Sequence, residues 1–545
     1  MANTTSKATP DSTKYLVFAL LVVFFCSYLL FDVFFAGRTS RSTTNGVWNS
    51  IDVTEWAYKS KRDRIIGGEV IYVPIMGTLI RLFDSSPHTP YTFQKMAAVN
   101  ALLGGIASAV FFLIVNTITR RLVFSMVASF FHFVLGFVLL LSTISENVMP
   151  GYFFYLIGVL FLFAWLQKPR YVFLFLFSIL FVLSWLSQWI FALGIVATVA
   201  IGLGIAEINI DKKISSYCLV GLLFGLSFIV MGKYVLHVSI LSLIFPGKGL
   251  GTGWGGFKLE KVLYLMAGAA NYFVGGNNLT NLSALTGARL CAFLMGLVFD
   301  ILGVFSVVWC LLKESGPTRK LLLALLAGFL VSEGVNFYSQ PQDPQMQIQP
   351  MLFLSLCIVL AAHAAFGNKP RSSRGPIAAV LGVCLLAAVN LGSVWASTGT
   401  DRPDIERVKS VTKTLNMSRS LLVVHGFEGW LSYYSAIVDR NLWRRKPRNL
   451  LSVVEVPMAH PDFTAAQTEF AFSEYLADGT TAGYDIYVDD TIWSYDADAL
   501  YSALATIASR SQSDSIYIFL HSRLKIDKRV PVAAGLVFDK MKYAE

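Results

Sequence analysis

The sequence predicts a polytopic α-helical membrane protein of about eleven transmembrane helices, with interfacial helices and a C-terminal extracytoplasmic α/β domain. Hydrophobic residues make up 55% of the 545 positions and charged residues only 14%, whereas soluble domains carry about 25% charged residues. Apolar runs of about 20 residues, each long enough to cross a bilayer core of roughly 30 Å, recur along most of the chain. After residue 396 the pattern changes to short β-branched runs that alternate with helix-like stretches.

The apolar runs before residue 396 define the predicted spans, and each meets the length that a bilayer requires. They fall near residues 15–36, 95–118, 122–143, 150–166, 171–186, 189–206, 217–236, 286–312, 320–336, 350–366 and 376–396. The first run follows a polar N-terminus and is too long for the core of a signal peptide, so we expect a retained helix.

Basic residues are concentrated in alternate loops, which predicts the orientation of the chain. The basic loops follow the second, fourth, sixth, eighth and tenth spans, at 120–121, 167–170, 211–213, 313–320 and 367–374. Because positive loops stay in the cytoplasm, we expect a cytoplasmic N-terminus in the cell (inner or plasma) membrane and an extracytoplasmic C-terminal domain. These loops also account for much of the net charge of +10, so nucleic acid is not expected as a partner.

Two domains are predicted, a transmembrane domain over 1–396 and an α/β domain over 397–545. Within the first, residues 37–94, 237–285 and 337–349 form outer loops. Residues 67–83 are apolar but too short to span, which predicts an interfacial helix. The Gly-rich stretch 245–262 predicts a loop followed by a second interfacial helix.

In the C-terminal domain, short apolar runs predict strands that form a largely parallel sheet. The runs lie at 418–430, 449–457, 483–490 and 514–523, with a helix expected over 496–511. The domain lacks a GxGxxG, a Walker loop, a GxSxG and zinc-type Cys/His spacing. A structural or substrate-binding role is therefore expected for it.

The first outer loop carries the densest charge cluster, in "WNSIDVTEWAYKSKRDR" at 48–64. Asp52 and Glu55 are three residues apart, so on a helix both carboxylates face the same way. Such a carboxylate can act as a general base or hold a divalent cation. Arg62 and Arg64 suit a phosphate group. The alternative is a solvated loop whose basic residues bind lipid headgroups.

Further polar residues lie near the predicted membrane surface. Glu69 and Glu146 begin apolar helical stretches on the outer side, where an acid can also serve only as a helix cap. The stretch 331–350 is rich in amides and acids, which suit hydroxyl-rich ligands, and three prolines are expected to keep it from being helical throughout. Its polar residues are Glu333, Tyr338, Gln340, Gln342, Asp343, Gln345 and Gln347. Asp300 lies near the middle of a predicted span, where an acid is either functional or hydrogen-bonded to a neighbouring helix.

This layout resembles the GT-C glycosyltransferase superfamily, in particular the bacterial branch related to protein O-mannosyltransferases and lipid A aminoarabinose transferases. The matching features are a carboxylate-bearing first loop ("IDVTEW"), an interfacial helix ("GEVIYVPIMGTLIRLF") and an acid at the head of the fourth span ("SENVMPGY"). A Gly/Trp loop ("GWGG"), a polar outer turn ("YSQPQDPQ") and an outside α/β domain complete it. The resemblance is one of layout and covers nearly the whole chain.

The resemblance implies an inverting transferase that uses a sugar on a polyprenyl phosphate and a lipid, glycan or protein acceptor. Asp52 would be the catalytic base and Glu55 its partner or a metal ligand. Contacts to the donor phosphate would come from Arg62, Arg64, Lys248 and Lys258. Substrate contacts would come from Glu69, Glu146, Tyr338, Gln342 and Asp343. Glu69 stands where many relatives carry His, and no adjacent acid pair is present, so dependence on a divalent metal ion stays open.

Two other classes of protein are compatible with the sequence. A polysaccharide polymerase or ligase also uses lipid-linked glycans outside the membrane, although such proteins usually depend on outer-loop arginines and lack a C-terminal α/β domain. A secondary transporter is favoured by Asp300. Transporters tend to contain internal repeats, and the two halves of this chain show no similarity.

Overall fold

The structure is a computed structural model of the chain, and it describes the greater part of the sequence. The described residues are 10–35, 71–83, 93–144, 146–188, 190–191, 210–230, 259, 261–275, 287–338, 341, 343–367, 374–397, 402–425, 449–454, 456–457, 460, 462–494, 497–498, 509–533 and 535–544. They form a helical unit and a smaller α/β unit, which divide between residues 399 and 400.

The helical unit is built from long apolar helices. In chain order these are α1 (Pro10–Phe35), α2 (Tyr72–Phe83), α3 (Phe93–Thr119), α4 (Leu122–Phe133), α5 (Gly136–Thr143), α6 (Val148–Gln167), α7 (Tyr171–Ser187), α8 (Ile210–Val230), α9 (Lys261–Phe273), α10 (Gly287–Lys313), α11 (Gly316–Tyr338), α12 (Pro344–Gly367) and α13 (Arg374–Ser397).

Among the described residues, four helices are long and apolar enough to cross a membrane, in α3, α6, α10 and α12, and the bent pair α4–α5 makes a fifth. Shorter apolar helices lie within α1, α2, α7, α8 and α13. The prediction of a polytopic helical membrane protein is therefore confirmed in this coarse form. The count of about eleven spans stays a prediction, and most of the span expected at 189–206 lies outside the described residues.

Close packing of α6 on α7 depends on small residues in α6. An added Cβ at Gly158 would lie 2.5 Å from the ring of Phe181, which is closer than real Cβ contacts come. Gly151 similarly faces the ring of Phe191. Small residues at a membrane helix interface let the partner approach closely, and here they place two aromatic rings against the α6 backbone.

The predicted span at 122–143 is broken rather than continuous. Its two halves, α4 and α5, meet at an angle of 63°. At the break, the carbonyl oxygen of Val134 accepts a hydrogen bond from a side chain, the Nδ2 of Asn390 in α13, at 2.7 Å. The same Nδ2 donates to the carbonyl of Phe273, and Oδ1 of Asn390 accepts the N–H of Gly275. One buried amide thus joins the break, the end of α9 and α13.

The prediction that prolines interrupt the helix within 331–350 is correct only for the short connection between α11 and α12. α11 runs to Tyr338, and α12 begins at Pro344 and continues through Pro350. A proline in the first helical position costs no hydrogen bond. Pro350 lacks the N–H that would bond the carbonyl of Met346, and Nδ2 of Asn336 in α11 donates to that carbonyl instead, at 2.8 Å.

The α/β unit contains one five-stranded sheet with the order β2-β1-β3-β5-β4. Its elements are α14 (Arg402–Thr414), β1 (Ser420–Val424), β2 (Leu450–Ser452), α15 (Ala465–Thr481), β3 (Asp485–Asp489), α16 (Thr491–Ser494), α17 (Arg510–Arg523), β4 (Leu524–Ala533) and β5 (Leu536–Tyr543). β1 pairs in parallel with β2 and β3, whereas β5 pairs antiparallel with β3 and β4. The sheet is therefore mixed rather than largely parallel.

One predicted strand in this unit is a helix. The run at 514–523 lies in α17, whose N-cap Ser509 and N3 residue Gln512 form a capping box. Reciprocal side-chain bonds of this kind satisfy the first free N–H groups of a helix. The strands expected from 418–430, 449–457 and 483–490 are found as β1, β2 and β3. Most of the helix expected over 496–511 lies outside the described residues.

Candidate functional site

The sequence-predicted site residues divide into two groups. The described part of the chain includes Glu146, Asp343 and the backbone of Tyr338, which ends α11. The others lie outside the described residues: Asp52, Glu55, Arg62, Arg64, Glu69, Lys248, Lys258 and Gln342.

The first turn of α12 joins Glu146 to Asp343. Gln345 donates its side-chain N–H to Oε2 of Glu146 at 3.1 Å, although 199 residues separate them. The backbone N–H of Gln345 in turn donates to Oδ1 of Asp343 at 2.9 Å. The structure therefore brings two of the predicted substrate residues into one hydrogen-bonded chain.

Amide side chains hold the segment that carries Glu146. Asn100 in α3 donates to the carbonyl oxygens of Ile144 and Glu146, at 2.8 and 2.7 Å. Gln188, just after α7, donates to Oδ1 of Asn147 at 2.8 Å. All of these polar side chains are buried. Such bonds fix the backbone before α6 and thereby the position of the Glu146 carboxylate.

A second carboxylate lies beside the same turn of α12. Gln347 donates its side-chain N–H to Oε2 of Glu333 at 3.2 Å and to the carbonyl of Pro341 at 2.6 Å. Both side chains are buried, Glu333 at 6% exposure and Gln347 at 0%. Glu146, just before α6, and Glu333, in α11, thus contact two side chains from the first turn of α12.

Asp343 is a titratable group in the connection between α11 and α12. Burial raises the pKa of its carboxyl from 3.8 to about 6, and the hydrogen bond from the Gln345 backbone partly offsets this rise. A carboxyl with a pKa near 6 changes charge close to neutral pH. Its charge can therefore respond to a substrate that binds beside it.

We call these residues the polar cluster: Asn100, Glu146, Asn147, Gln188, Glu333, Asp343, Gln345 and Gln347. Carboxylates and amides of this kind bind hydroxyl groups and orient them. Sequence reasoning missed Asn100, Asn147 and Gln188. The available signal was an uncharged amide within or beside an apolar helix, since such groups hydrogen-bond across membrane helices. Within the described residues, no group of three or more His, Cys, Asp and Glu could hold a metal ion.

Comparison with protein-family models and with curated proteins finds no match to the sequence. Solved structures do match. The oligosaccharyltransferase of Archaeoglobus fulgidus, crystallised with a tethered acceptor peptide, aligns over 96% of this chain and 74% of its own, with a TM-score of 0.52 at 11% identity.

Two structures of ArnT from Cupriavidus metallidurans, one bound to undecaprenyl phosphate and one in the apo state, align over 98% and 97% of this chain. These alignments cover 98% of each ArnT chain, with TM-scores of 0.49 at 11% and 12% identity. The match to the oligosaccharyltransferase extends over the helical unit and the α/β unit together. The chain therefore shares the fold of the oligosaccharyltransferase, as its resemblance to the layout of GT-C glycosyltransferases led us to expect.

Proposed function

We propose that this protein is a membrane glycosyltransferase that moves a sugar from a polyprenyl-phosphate-linked donor to a lipid, glycan or protein acceptor on the outer face of the membrane. The proposal combines the carboxylate-bearing first loop with the fold of a superfamily of glycosyltransferases. The observation that carries it is the polar cluster, in which Glu146 and Asp343 share Gln345. Such a group suits a polyhydroxyl substrate at the end of a helix bundle.

The proposed reaction is a single inverting displacement at the anomeric carbon. The bond between that carbon and the phosphate oxygen breaks, and its electron pair leaves with the polyprenyl phosphate. The acceptor atom attacks from the opposite face and loses its proton to Asp52, the proposed general base. Glu55 would orient this base or hold a metal ion, and the first-loop arginines Arg62 and Arg64 would stabilise charge on the leaving phosphate, together with Lys248 and Lys258.

Within this proposal the polar cluster binds substrate and performs no bond-breaking step. Gln345 holds the Glu146 carboxylate in place, and that carboxylate can accept a hydrogen bond from a hydroxyl group. Glu69, Tyr338 and Gln342 are proposed as further substrate contacts on the basis of the sequence resemblance alone.

The test uses membranes that contain the wild type or Asp52→Asn, supplied with a panel of radiolabelled polyprenyl-phosphate sugars. We expect the wild type to transfer label to endogenous acceptors and Asp52→Asn to transfer none at equal protein levels. Transfer that survives the substitution keeps the enzyme class but removes Asp52 as base. Absence of transfer from every donor by the wild type contradicts the proposed function.

A secondary transporter is the second candidate, because Asp300 lies inside α10 with both carboxylate oxygens buried and without a hydrogen bond. Intramembrane acids of this kind mark ion or proton pathways in transporters. A transporter would move label across sealed vesicles without forming a product, and Asp300→Asn would abolish that movement. Product formation that persists in Asp300→Asn favours the transferase.

A further inference from the structure

The orientation of the Gln347 amide is determined by its neighbours. Its nitrogen lies between two acceptors, Oε2 of Glu333 at 3.2 Å and the carbonyl of Pro341 at 2.6 Å. The carbonyl of Pro341 can only accept a hydrogen bond, so the NH₂ end of the amide must face it. The oxygen Oε1 of Gln347 therefore points away from both.

Two acceptor atoms remain in this part of the polar cluster. Oε1 of Gln347 and Oε1 of Glu333 are both buried and have no hydrogen-bond partner. The amide of Asn336 lies beside Glu333 and donates to the carbonyl of Met346 at 2.8 Å. Buried polar atoms in proteins nearly always have a partner, and a bound group that donates hydrogen bonds would satisfy this pair.

The Glu146 side of the polar cluster has the same character. Oδ1 of Asn100 and Oε1 of Gln188 are also buried acceptors without a hydrogen bond, while the amide nitrogens of both residues are used. A ligand that satisfies these atoms must donate hydrogen bonds. A phosphate group carries acceptors and negative charge, so it does not match these oxygens, whereas sugar hydroxyl groups do.

We propose that Glu333 and Gln347 form a sugar-hydroxyl subsite, in which their Oε1 atoms accept hydrogen bonds from the donor sugar and discriminate among sugars. The subsite rests on the proposed function, since it assigns the recognition of the sugar within the same reaction. It places the sugar ring beside the first turn of α12 and leaves the lipid phosphate to the basic residues of other segments.

Gln349 supplies a matched control in the same helix. It is buried like Gln347, but its amide nitrogen joins Tyr155 and Ser332 at 3.4 and 3.3 Å, and it has no unpartnered buried oxygen. Its hydrogen bonds link α6, α11 and α12. We therefore assign it a structural role, and Gln349→Met serves to separate loss of packing from loss of recognition.

The experiment uses the full-length protein in lipid vesicles and a panel of polyprenyl-phosphate-linked glucose, galactose, mannose and arabinose. For the sugar that the wild type transfers, each hydroxyl is replaced in turn by fluorine, which cannot donate a hydrogen bond. We expect at least one replacement to lower kcat/KM of the wild type about 10- to 100-fold, the range for a hydrogen bond to a charged or buried group.

In Glu333→Gln and Gln347→Met, we expect kcat/KM for the parent sugar to fall by a similar factor. The same substitutions should lower kcat/KM for the critical fluorinated sugar by less than about threefold. Gln349→Met should keep the wild-type discrimination. Full discrimination in both variants overturns the subsite alone. A wild type that transfers no sugar of the panel overturns the proposed function and the subsite with it.

A second measurement needs no variant, and it keeps the proposal testable where a substitution prevents folding. Dicyclohexylcarbodiimide reacts with carboxyl groups buried in membranes, and mass spectrometry locates the adduct. We expect the parent sugar lipid to slow labelling of Glu333 at least about fivefold and the critical fluorinated analogue to slow it less. Equal labelling of Glu333 with and without the parent lipid contradicts the subsite.

Discussion

Asn336→Ala tests whether an α11 side chain replaces the backbone N–H that Pro350 lacks. In the wild type the Asn336 amide donates to the carbonyl of Met346 at 2.8 Å. The substitution leaves that carbonyl without a donor. An unpaired buried polar group costs about 1–3 kcal/mol, so we expect the free energy of unfolding to fall by about 2 kcal/mol.

A second background isolates the cause. Pro350→Ala restores an N–H four residues after Met346, and the carbonyl then keeps a helical partner when Asn336 is removed. In that background Asn336→Ala should cost about 1 kcal/mol less, and this difference is the coupling energy of a double-mutant cycle. Pro350→Ala alone should be neutral or stabilising, since proline is unfavourable inside a helix.

The assay is equilibrium unfolding in mixed detergent micelles, followed by tryptophan fluorescence for all four members of the cycle. Ser306→Ala is the control, because its exposed hydroxyl bonds only the carbonyl of Leu302 within its own helix. Its effect should stay within about 0.5 kcal/mol. An Asn336→Ala cost that is the same with and without Pro350 would refute the replacement of one donor by the other.

Three further predictions concern other parts of the structure. Gly296→Ala should destabilise the helical unit by about 1–3 kcal/mol, because an added Cβ would overlap the carbonyl of Ala270. Gly382→Ala is the control, since a Cβ there meets open space. Equal melting temperatures of the two variants would contradict the prediction. Asp343 keeps its proton in the folded state up to about pH 6 rather than 3.8, so stability should fall as pH rises through that interval and level off above it. Asp343→Asn should remove this fall in a pH series of thermal melts, and an unchanged profile speaks against the raised pKa. Thr464→Ala removes the capping box of α15 at a cost of about 1 kcal/mol, so its first-turn amides should exchange hydrogen about fivefold faster; an unchanged exchange rate contradicts this role.

The apolar helices and the core strands could be predicted from sequence because their patterns are local. Length and composition identify α3, α6, α10 and α12 without reference to any neighbour. In the same way, the β-branched runs of β1 and β3 are visible in the sequence alone. These elements are specified by the residues that compose them.

The break between α4 and α5 could not be predicted in this way, because it depends on a distant side chain. The run at 122–143 is uniformly apolar, and the partner of Val134 is Asn390, in another helix. Similarly, the β4–β5 hairpin could not be predicted from an apolar pattern, because most residues of β4 are exposed and several of them are charged. Arg529 and Asp539 are directly opposite in the ladder and form an ion pair at 3.1 Å, a cross-strand pairing that neither segment displays alone.

The site follows the same division. Glu146 and Asp343 were predicted from single positions, and both are found in the polar cluster. Their supporting amides Asn100 and Gln188 were not predicted, since one polar residue at an apolar helix gives no indication of its partner. The relation between the two acids becomes visible only when Gln345 is placed between them.

The long sequence separation between the α4–α5 break and its partner bears on biosynthesis. Val134 and Asn390 are 256 residues apart, so the ribosome completes α13 long after α4 and α5 have been made. Before that time a break in lipid would leave carbonyl groups without donors, which the bilayer disfavours. We infer that the segment first inserts as a continuous helix and acquires its bend late, when α13 arrives. Nascent chains released before residue 390 would then lack the bent conformation.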